Sequence, residues 1–407
     1  DAQLSRGLGD VYKRQILALV GLALLFYSLT IRQLERTEIT GPMFFVLVGI
    51  AMSYFLPSEF KLGEAGLSDI LPLVELTLSI FLFTDAAKSK LPVLKHSYQY
   101  PSLLLFVALP MTLVLGVAGG LFFFSELSLF QSALIAIILT PTDAALSKGI
   151  LECTSVPEKV REGINTESGL NDGLCVPIFL ILLLLAQNPE SAVTTIDTLL
   201  VFARELGVAL VIAGVSMAVF IPLLKIALAR HYFANNSSPF LLIGLVMAIF
   251  SLTQNFHGSG FIAVFVAGLL FDYLAPKKIR STLVKDSEHI AEFVALLIWC
   301  LFGFVCGHLI VNDITWPIVF YALLSVTIFR IVPVLLSLMF TNLNFKDKFT
   351  FAWFGPRGLA SIVFTLMVMD TAIANKEQIA TVTLTTILFS VFIHGMSTKP
   401  IAKSYQK

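Results

Sequence analysis

The sequence predicts an all-α polytopic membrane protein of about thirteen transmembrane helices, on three observations. Hydrophobic residues make up 57% of the 407-residue chain and charged residues 13%, against about 25% charged in soluble domains. The mean hydropathy is +0.88 and 35 residues are Phe, more apolar surface than a soluble core of this length hides. The chain also divides into thirteen apolar segments of 14 to 31 residues, where a helix needs roughly 20 to cross the hydrocarbon core. Finally, Lys and Arg alternate in density from loop to loop, as they do when positive residues stay on the cytoplasmic side.

The expected spans are 16–31, 41–56, 70–87, 101–124, 129–150, 164–187, 199–229, 239–253, 261–274, 288–311, 316–341, 349–369 and 378–394. Loops on one side carry 19 of the 27 Lys and Arg residues, those on the other side carry 5, and Arg204, Arg330 and Arg357 lie inside spans. A miscounted span would scramble this alternation. It sets the N-terminus outside, the C-terminus in the cytoplasm and the protein in the cell membrane, with residues 396–407 as a short cytoplasmic tail. Residues 16–395 read as a single transmembrane unit. Residues 1–15 are polar, open on Asp1 and read as a non-native tail. The Gly7-Leu8-Gly9-Asp10 string within them is read as chance, because an intramembrane protease needs that motif inside the bilayer. The formal net charge is zero, which argues against a nucleic-acid partner and leaves membrane lipid. Cys153, Cys175, Cys300 and Cys306 show no CxxC spacing and read as small apolar fillers.

Ionisable groups inside the bilayer are costly, so each is a functional hypothesis. Asp85, Glu152, Arg204, Glu205, Asp272, Glu288 and Glu292 fall near span ends and read as interfacial. Deeper lie Glu75, Asp143, the cluster from Glu167 to Asp172, Arg330 and Arg357. The sixth span opens Glu167-Ser168-Gly169-Leu170-Asn171-Asp172-Gly173. Residues three and four apart share a helix face, so Glu167, Ser168, Asn171 and Asp172 form one polar stripe, while Gly169 and Gly173 permit close helix approach. The fifth span holds Thr140-Pro141-Thr142-Asp143, and the twelfth holds Gly355-Pro356-Arg357-Gly358. Pro141 and Pro356 each remove a helix hydrogen bond. Interrupted helices at matching places in two halves point to a transporter's binding site. The spacing gives two six-helix repeats, with the seventh span (199–229) as a connector that inverts the second. Two unwound helices would then cross. Asp143 is placed to neutralise exposed half-helix N-termini, and Arg357 the C-terminal ends.

At these residues the chain resembles the monovalent cation:proton antiporter-1 family, the sodium/proton exchangers, from about Gly41 to Gly395. The Glu167-to-Gly173 stretch looks like the family's ion-binding helix, Thr142-Asp143 its first unwound helix and Gly355-to-Gly358 its second. Arg330 in Ile328-Phe329-Arg330-Ile331-Val332-Pro333 and the His257-Gly258-Ser259-Gly260 stretch are also similar. One departure stands out: Pro141 precedes Thr142-Asp143, where the family places proline after the Asp. The resemblance implies a homodimer of protomers with interface helices (16–87 and 239–311) and core helices (101–187 and 316–394). It implies that Asp172 binds Na⁺ or H⁺ in turn, with Ser168, Thr142, Asp143 and Glu167 as neighbouring oxygens. It also implies a Glu167–Arg330 pair and a Glu75–Arg357 pair.

The chemistry suits that expectation. Na⁺ wants hard oxygen ligands, and this cluster offers oxygens alone. One carboxylate can hold a proton or a cation but not both, and alternating access follows from rocking one helix bundle against the other. No cofactor is expected beyond the transported ions, and Li⁺ or K⁺ would meet the same ligands. Asn171 cannot titrate and Arg330 stays charged, which leaves one exchanging group and an electroneutral cycle. The alternative is a transporter of organic anions on a related inverted-repeat fold, which would want basic ligands where acids dominate here. An enzyme is not expected, since the chain has no HExxH and no GxSG. The six histidines (His96, His231, His257, His289, His308 and His394) could sense pH, but most lie at loop edges and read as structural.

Overall fold

The computed structural model describes residues 2–34, 36–55, 64–88, 99–187, 195–232 and 238–406. Among them every regular element is helical: α1 (Ala2–Leu34), α2 (Gly41–Phe55), α3 (Glu64–Lys88), α4 (Gln99–Phe123), α5a (Leu129–Ile138) and α5b (Lys148–Leu151). There follow α6 (Glu158–Gln187), α7 (Thr195–Ala229), α8 (Ser238–Asn255), α9 (Gly260–Leu274) and α10 (Lys277–Asn312). The last are α11 (Trp316–Ser337), α12a (Phe345–Trp353), α12b (Leu359–Met369) and α13 (Lys376–Ser404). Among the described residues eight helices are long and apolar enough to cross a membrane and five apolar ones are shorter, together one for each of the thirteen predicted spans. The chain is a multi-pass membrane protein. Lys61, Lys90, Lys95 and Lys407, used in the charge argument, lie outside the described residues.

Local chemistry sets the ends of these helices. Ser128 and Gln131 form a reciprocal cap on α5a, each side chain bonding the other's backbone N–H at 3.2 and 2.9 Å. The Asn344 side chain accepts from Asp347 N at 2.7 Å and starts α12a. In α4 a wide turn at Leu104–Ala108 precedes Pro110, whose ring crowds the carbonyls of the turn before it. Two predicted spans are not continuous. The fifth, expected over 129–150, stops at Ile138 and resumes only at Lys148 after a short 3₁₀ turn. The twelfth stops at Trp353 and resumes at Leu359.

Packing sorts the helices around the breaks. α2 lies along α10 where Gly49 and Gly303 let the backbones meet: a Cβ on Gly49 would stand 1.9 Å from Cys300 O, and one on Gly303 2.2 Å from Val46 O. α3 meets α9 at Gly268. Small residues serve this role because lipid gives apolar helices no incentive to pair other than close packing. α6 reaches α12b through the Phe179–Phe364 stack, 4.3 Å between centroids and 9° between planes, a contact worth about 0.5–1.5 kcal/mol. On the outside, Phe106, Val114, Phe122, Val211 and Val215 stand exposed, as side chains facing lipid do.

Candidate functional site

The two broken helices meet back to back, and their unwound segments are joined main chain to main chain. Asp143 N donates to Pro356 O at 2.8 Å. The crossing is close because two glycines allow it. A Cβ on Gly358 would stand 2.1 Å from the Asp143 carboxylate, and one on Gly355 2.6 Å from Arg330 Nε. Each break then supplies the charge that the other lacks. Asp143 accepts from Leu359 N, the first residue of α12b, at 3.4 Å and from Ala145 N at 2.7 Å. Arg357 donates from Nη1 to Thr140 O, just past the end of α5a, at 3.4 Å and from Nη2 to Ser325 O at 3.2 Å. A carboxylate thus sits at a half-helix N-terminus and a guanidinium at a C-terminal end, as the backbone dipoles favour.

α6 runs beside the α5 break and presents its polar stripe to it. Ser168 Oγ donates to Thr142 O at 2.5 Å. Asn171 Nδ2 reaches Thr140 O at 3.4 Å and Thr142 Oγ1 at 3.3 Å. Thr142, Ser168 and Asn171 are all buried. Glu167 is buried too, and Arg330 Nη2 contacts its Oε1 at 2.6 Å and its Oε2 at 2.8 Å. Removing one partner of such a buried pair leaves an uncompensated charge, at a cost of about 3–5 kcal/mol.

Asp172 differs from the rest of the stripe. Its Oδ1 atom is buried and takes no hydrogen bond. The charges that act on it are two further carboxylates, Asp85 on α3 and Asp143. Buried polar atoms in native proteins are nearly always satisfied, and on α6 this carboxylate oxygen is left without a protein partner. An unbonded carboxylate oxygen one helical turn from Ser168, whose hydroxyl lies on Thr142 O, offers hard oxygen ligands of the kind that a monovalent cation takes. The same oxygen is equally able to take a proton.

Several sequence expectations need correction. Glu75 and Arg357 are not partners. Glu75 lines a cavity of about 250 Å³ with Leu180, Glu205, His257 and Met367. Met367 lies eight residues into α12b, so that cavity is about 12 Å along the helix from the break. Asp85 is not interfacial: its Cβ lies 3.3 Å from where a Gly169 Cβ would stand. Its position near a span end concealed it, and the available signal was the run of small residues after it, Ala86-Ala87, which permits close helix approach. Asp272 is buried and bound to Arg280 Nη1 at 2.6 Å, while Glu288 is partly exposed and pairs with Lys88, as a span-end residue does. Cys175 is more than filler, since its thiol lies 3.0 Å from Asn171 Oδ1. His394 is no loop-edge residue but a buried one in the middle of α13.

A family model described as "Sodium/hydrogen exchanger, transmembrane" matches residues 20–404. The Na⁺/H⁺ antiporter NhaH of Halobacillus dabanensis is 26% identical over 347 residues, covering 83% of this chain and 84% of that protein. The low-affinity Na⁺/H⁺ antiporter NhaS1 of Synechocystis sp. is 26% identical over 403 residues, covering 94% and 73%. The K⁺/H⁺ antiporter NhaP of Alkalimonas amylolytica is 24% identical over 278 residues, covering 67% and 47%. Among solved structures, the sodium proton antiporter MjNhaP1 from Methanocaldococcus jannaschii shares the fold, with a TM-score of 0.72 at 19% identity over 97% of each chain.

Proposed function

As a member of the sodium/hydrogen exchanger family the chain is a secondary cation/proton antiporter, and we propose that Asp172 is the group that takes Na⁺ and H⁺ in turn. The observation that carries this is the buried, unpartnered Asp172 Oδ1, on whose carboxylate the charges of Asp85 and Asp143 act. Na⁺ entering that place meets Asp172, Ser168 and Thr142 directly, with Asp143 and Asp85 setting the negative field. Glu167 is occupied by Arg330 and holds the stripe in place rather than exchanging. The Na⁺/H⁺ and K⁺/H⁺ relatives share this exchange chemistry, and the oxygen set admits Na⁺, Li⁺ or K⁺. The core helices (101–187 and 316–394) carry the site past the interface helices (16–87 and 239–311), with 199–229 as connector, in a homodimer. The cell membrane holds it with the N-terminus outside and the C-terminus cytoplasmic.

With Asn171 unable to titrate and Arg330 bound to Glu167, one H⁺ leaves for each cation that binds, so the cycle moves no net charge. The test is flux in reconstituted vesicles. Cation-driven pH change is expected in the wild type, with a rate that ignores a clamped membrane potential, and none is expected in Asp172→Asn. Robust exchange in a well-folded Asp172→Asn protein would sink the assignment. A rate that follows the potential would contradict the one-for-one cycle.

A further inference from the structure

The α12 break has a support of its own on α13, outside the cation site. Arg357 N donates to Ser390 Oγ at 2.8 Å. Ser390 Oγ lies 3.1 Å from His394 Nδ1, and His394 Nε2 lies 2.9 Å from Trp353 O. In a continuous helix, the N–H of residue 357 would bond the carbonyl of residue 353 directly, since each N–H pairs four residues back. The break at Gly355-Pro356 abolishes that bond. Ser390 and His394 stand four apart on one face of α13, and their side chains bridge the two groups that the break separates.

We propose that Ser390 and His394 are positioning residues that splice the interrupted α12 by a hydrogen-bond relay, and so fix the unwound segment that carries Arg357. The donor sense is set by the ends. Arg357 N–H can only donate, so Ser390 Oγ accepts from it and turns its own hydrogen to Nδ1. Trp353 O can only accept, so Nε2 carries the ring hydrogen. Trp353 O also takes Gly355 N–H at 2.9 Å, which uses both of its lone pairs. A neutral imidazole completes the relay with no group left over. Ser390 O, 2.9 Å from Nδ1, offers a different arrangement in which a protonated ring donates on both sides. The charged groups acting on the ring are Arg330 and Arg357. The relay therefore asks of residue 394 one donor and one acceptor, and no proton exchange.

This inference rests on the exchange activity, not on the assignment of Asp172, and its test separates the two. Flux in vesicles is measured for His394→Leu, His394→Gln, Ser390→Ala and Ser390→Thr. A glutamine amide supplies a donor and an acceptor, and a threonine keeps the hydroxyl. His394→Leu and Ser390→Ala are expected to lose about tenfold in turnover, roughly one lost relay bond and its strain, with the cation KM changed little because no cation ligand is touched. His394→Gln and Ser390→Thr are expected to recover turnover, with the pH profile unmoved. Hydrogen exchange over residues 354–358 reads the relay without any flux, and faster exchange there is expected in Ser390→Ala. Wild-type turnover in His394→Leu, a His394→Gln protein as impaired as His394→Leu, or a pH profile displaced in His394→Gln would each overturn the relay. If His394→Leu fails to fold, Ser390→Ala with its exchange readout decides the matter alone, and unchanged exchange there counts against the relay.

Discussion

The α5 break and the α12 break are built from the same parts and finished differently. Each is a helix interrupted at a proline, each receives an opposite charge from the other, and each leans on the following helix through a hydroxyl and a larger polar group. α6 offers Ser168 and Asn171 to the first, and α13 offers Ser390 and His394 to the second. At the second break the α13 side chains close on the main chain, and the buried atom left over is a donor, Arg357 Nε. At the first, one carboxylate oxygen is left over, on Asp172. A broken helix does not by itself make an ion site. The proposed site lies where the supporting helix carries one more acceptor than the break can use.

The largest effect that tests this comparison concerns the pair holding the α6 stripe. Glu167→Ala and Arg330→Ala should each lower stability by about 3–5 kcal/mol, because the surviving charge stays buried. The double variant should recover much of that loss in thermal unfolding of the detergent-solubilised protein. Losses that simply add would show that the two are not coupled. The same cycle on Glu75 and Arg357 should give additive losses, since the structure keeps them apart, and recovery in that double variant would restore their pairing.

Next in size is the crossing itself. Gly358→Ala would place a methyl 2.1 Å from the Asp143 carboxylate, an overpacking of about 1–3 kcal/mol, and should stop exchange by forcing the breaks apart. Gly355→Ala meets Arg330 Nε at 2.6 Å, and there a long side chain can shift, so its loss should be smaller. Equal effects on flux and melting temperature would mean that the crossing is not held by the Asp143 side of the contact.

Smaller again is Ser168→Ala, which removes one hydrogen bond to Thr142 O, about 0.5–1.5 kcal/mol. It should raise the cation KM several-fold while leaving the melting temperature nearly unchanged. An unaltered KM would remove Ser168 from the cation's ligands.

The smallest effect lies where α12a is anchored to the end of the chain. Tyr405 OH donates to Asp347 Oδ1 at 3.1 Å and lies 2.9 Å from Thr350 Oγ1. Burial pushes its hydroxyl up to about 12. A folded value above the unfolded one of about 10 means that the contribution is complete below pH 10 and is lost as pH rises from about 10 towards 12. Tyr405→Phe should therefore cost about 1 kcal/mol or less, evenly across pH 6 to 9. A loss that grew within that window would point to a different titrating partner.

Both breaks and the α6 stripe are legible in the sequence because each leaves a mark in one dimension, whereas the Glu167–Arg330 pair follows there from the family resemblance alone. Proline and charge inside an apolar run are visible by eye, and a stripe follows from helical spacing. The Asp143 and Arg357 roles at half-helix ends were legible for the same reason. What escaped depends on which residues share a depth in the bilayer. Asp85 looked interfacial because it lies three residues from Lys88 and the span end, yet α3 brings it beside Gly169. The Glu75–Arg357 pair is what the family resemblance implies, and α12b carries the Glu75 cavity away from the break. His394 was passed over because a lone histidine in an apolar helix carries no pattern. Only the geometry of Trp353 and Ser390 gives it work.

The bond between Asp143 N and Pro356 O belongs to the main chain, and that has an evolutionary consequence. A joint made of backbone atoms is indifferent to what the flanking side chains are. The crossing can persist while residues around it are exchanged one at a time, so ligand chemistry can be rewritten without rebuilding the frame that carries it. A chain of this kind is open to changing the ion that it prefers by a few substitutions on α6 and α3, each tried against a scaffold that stays folded.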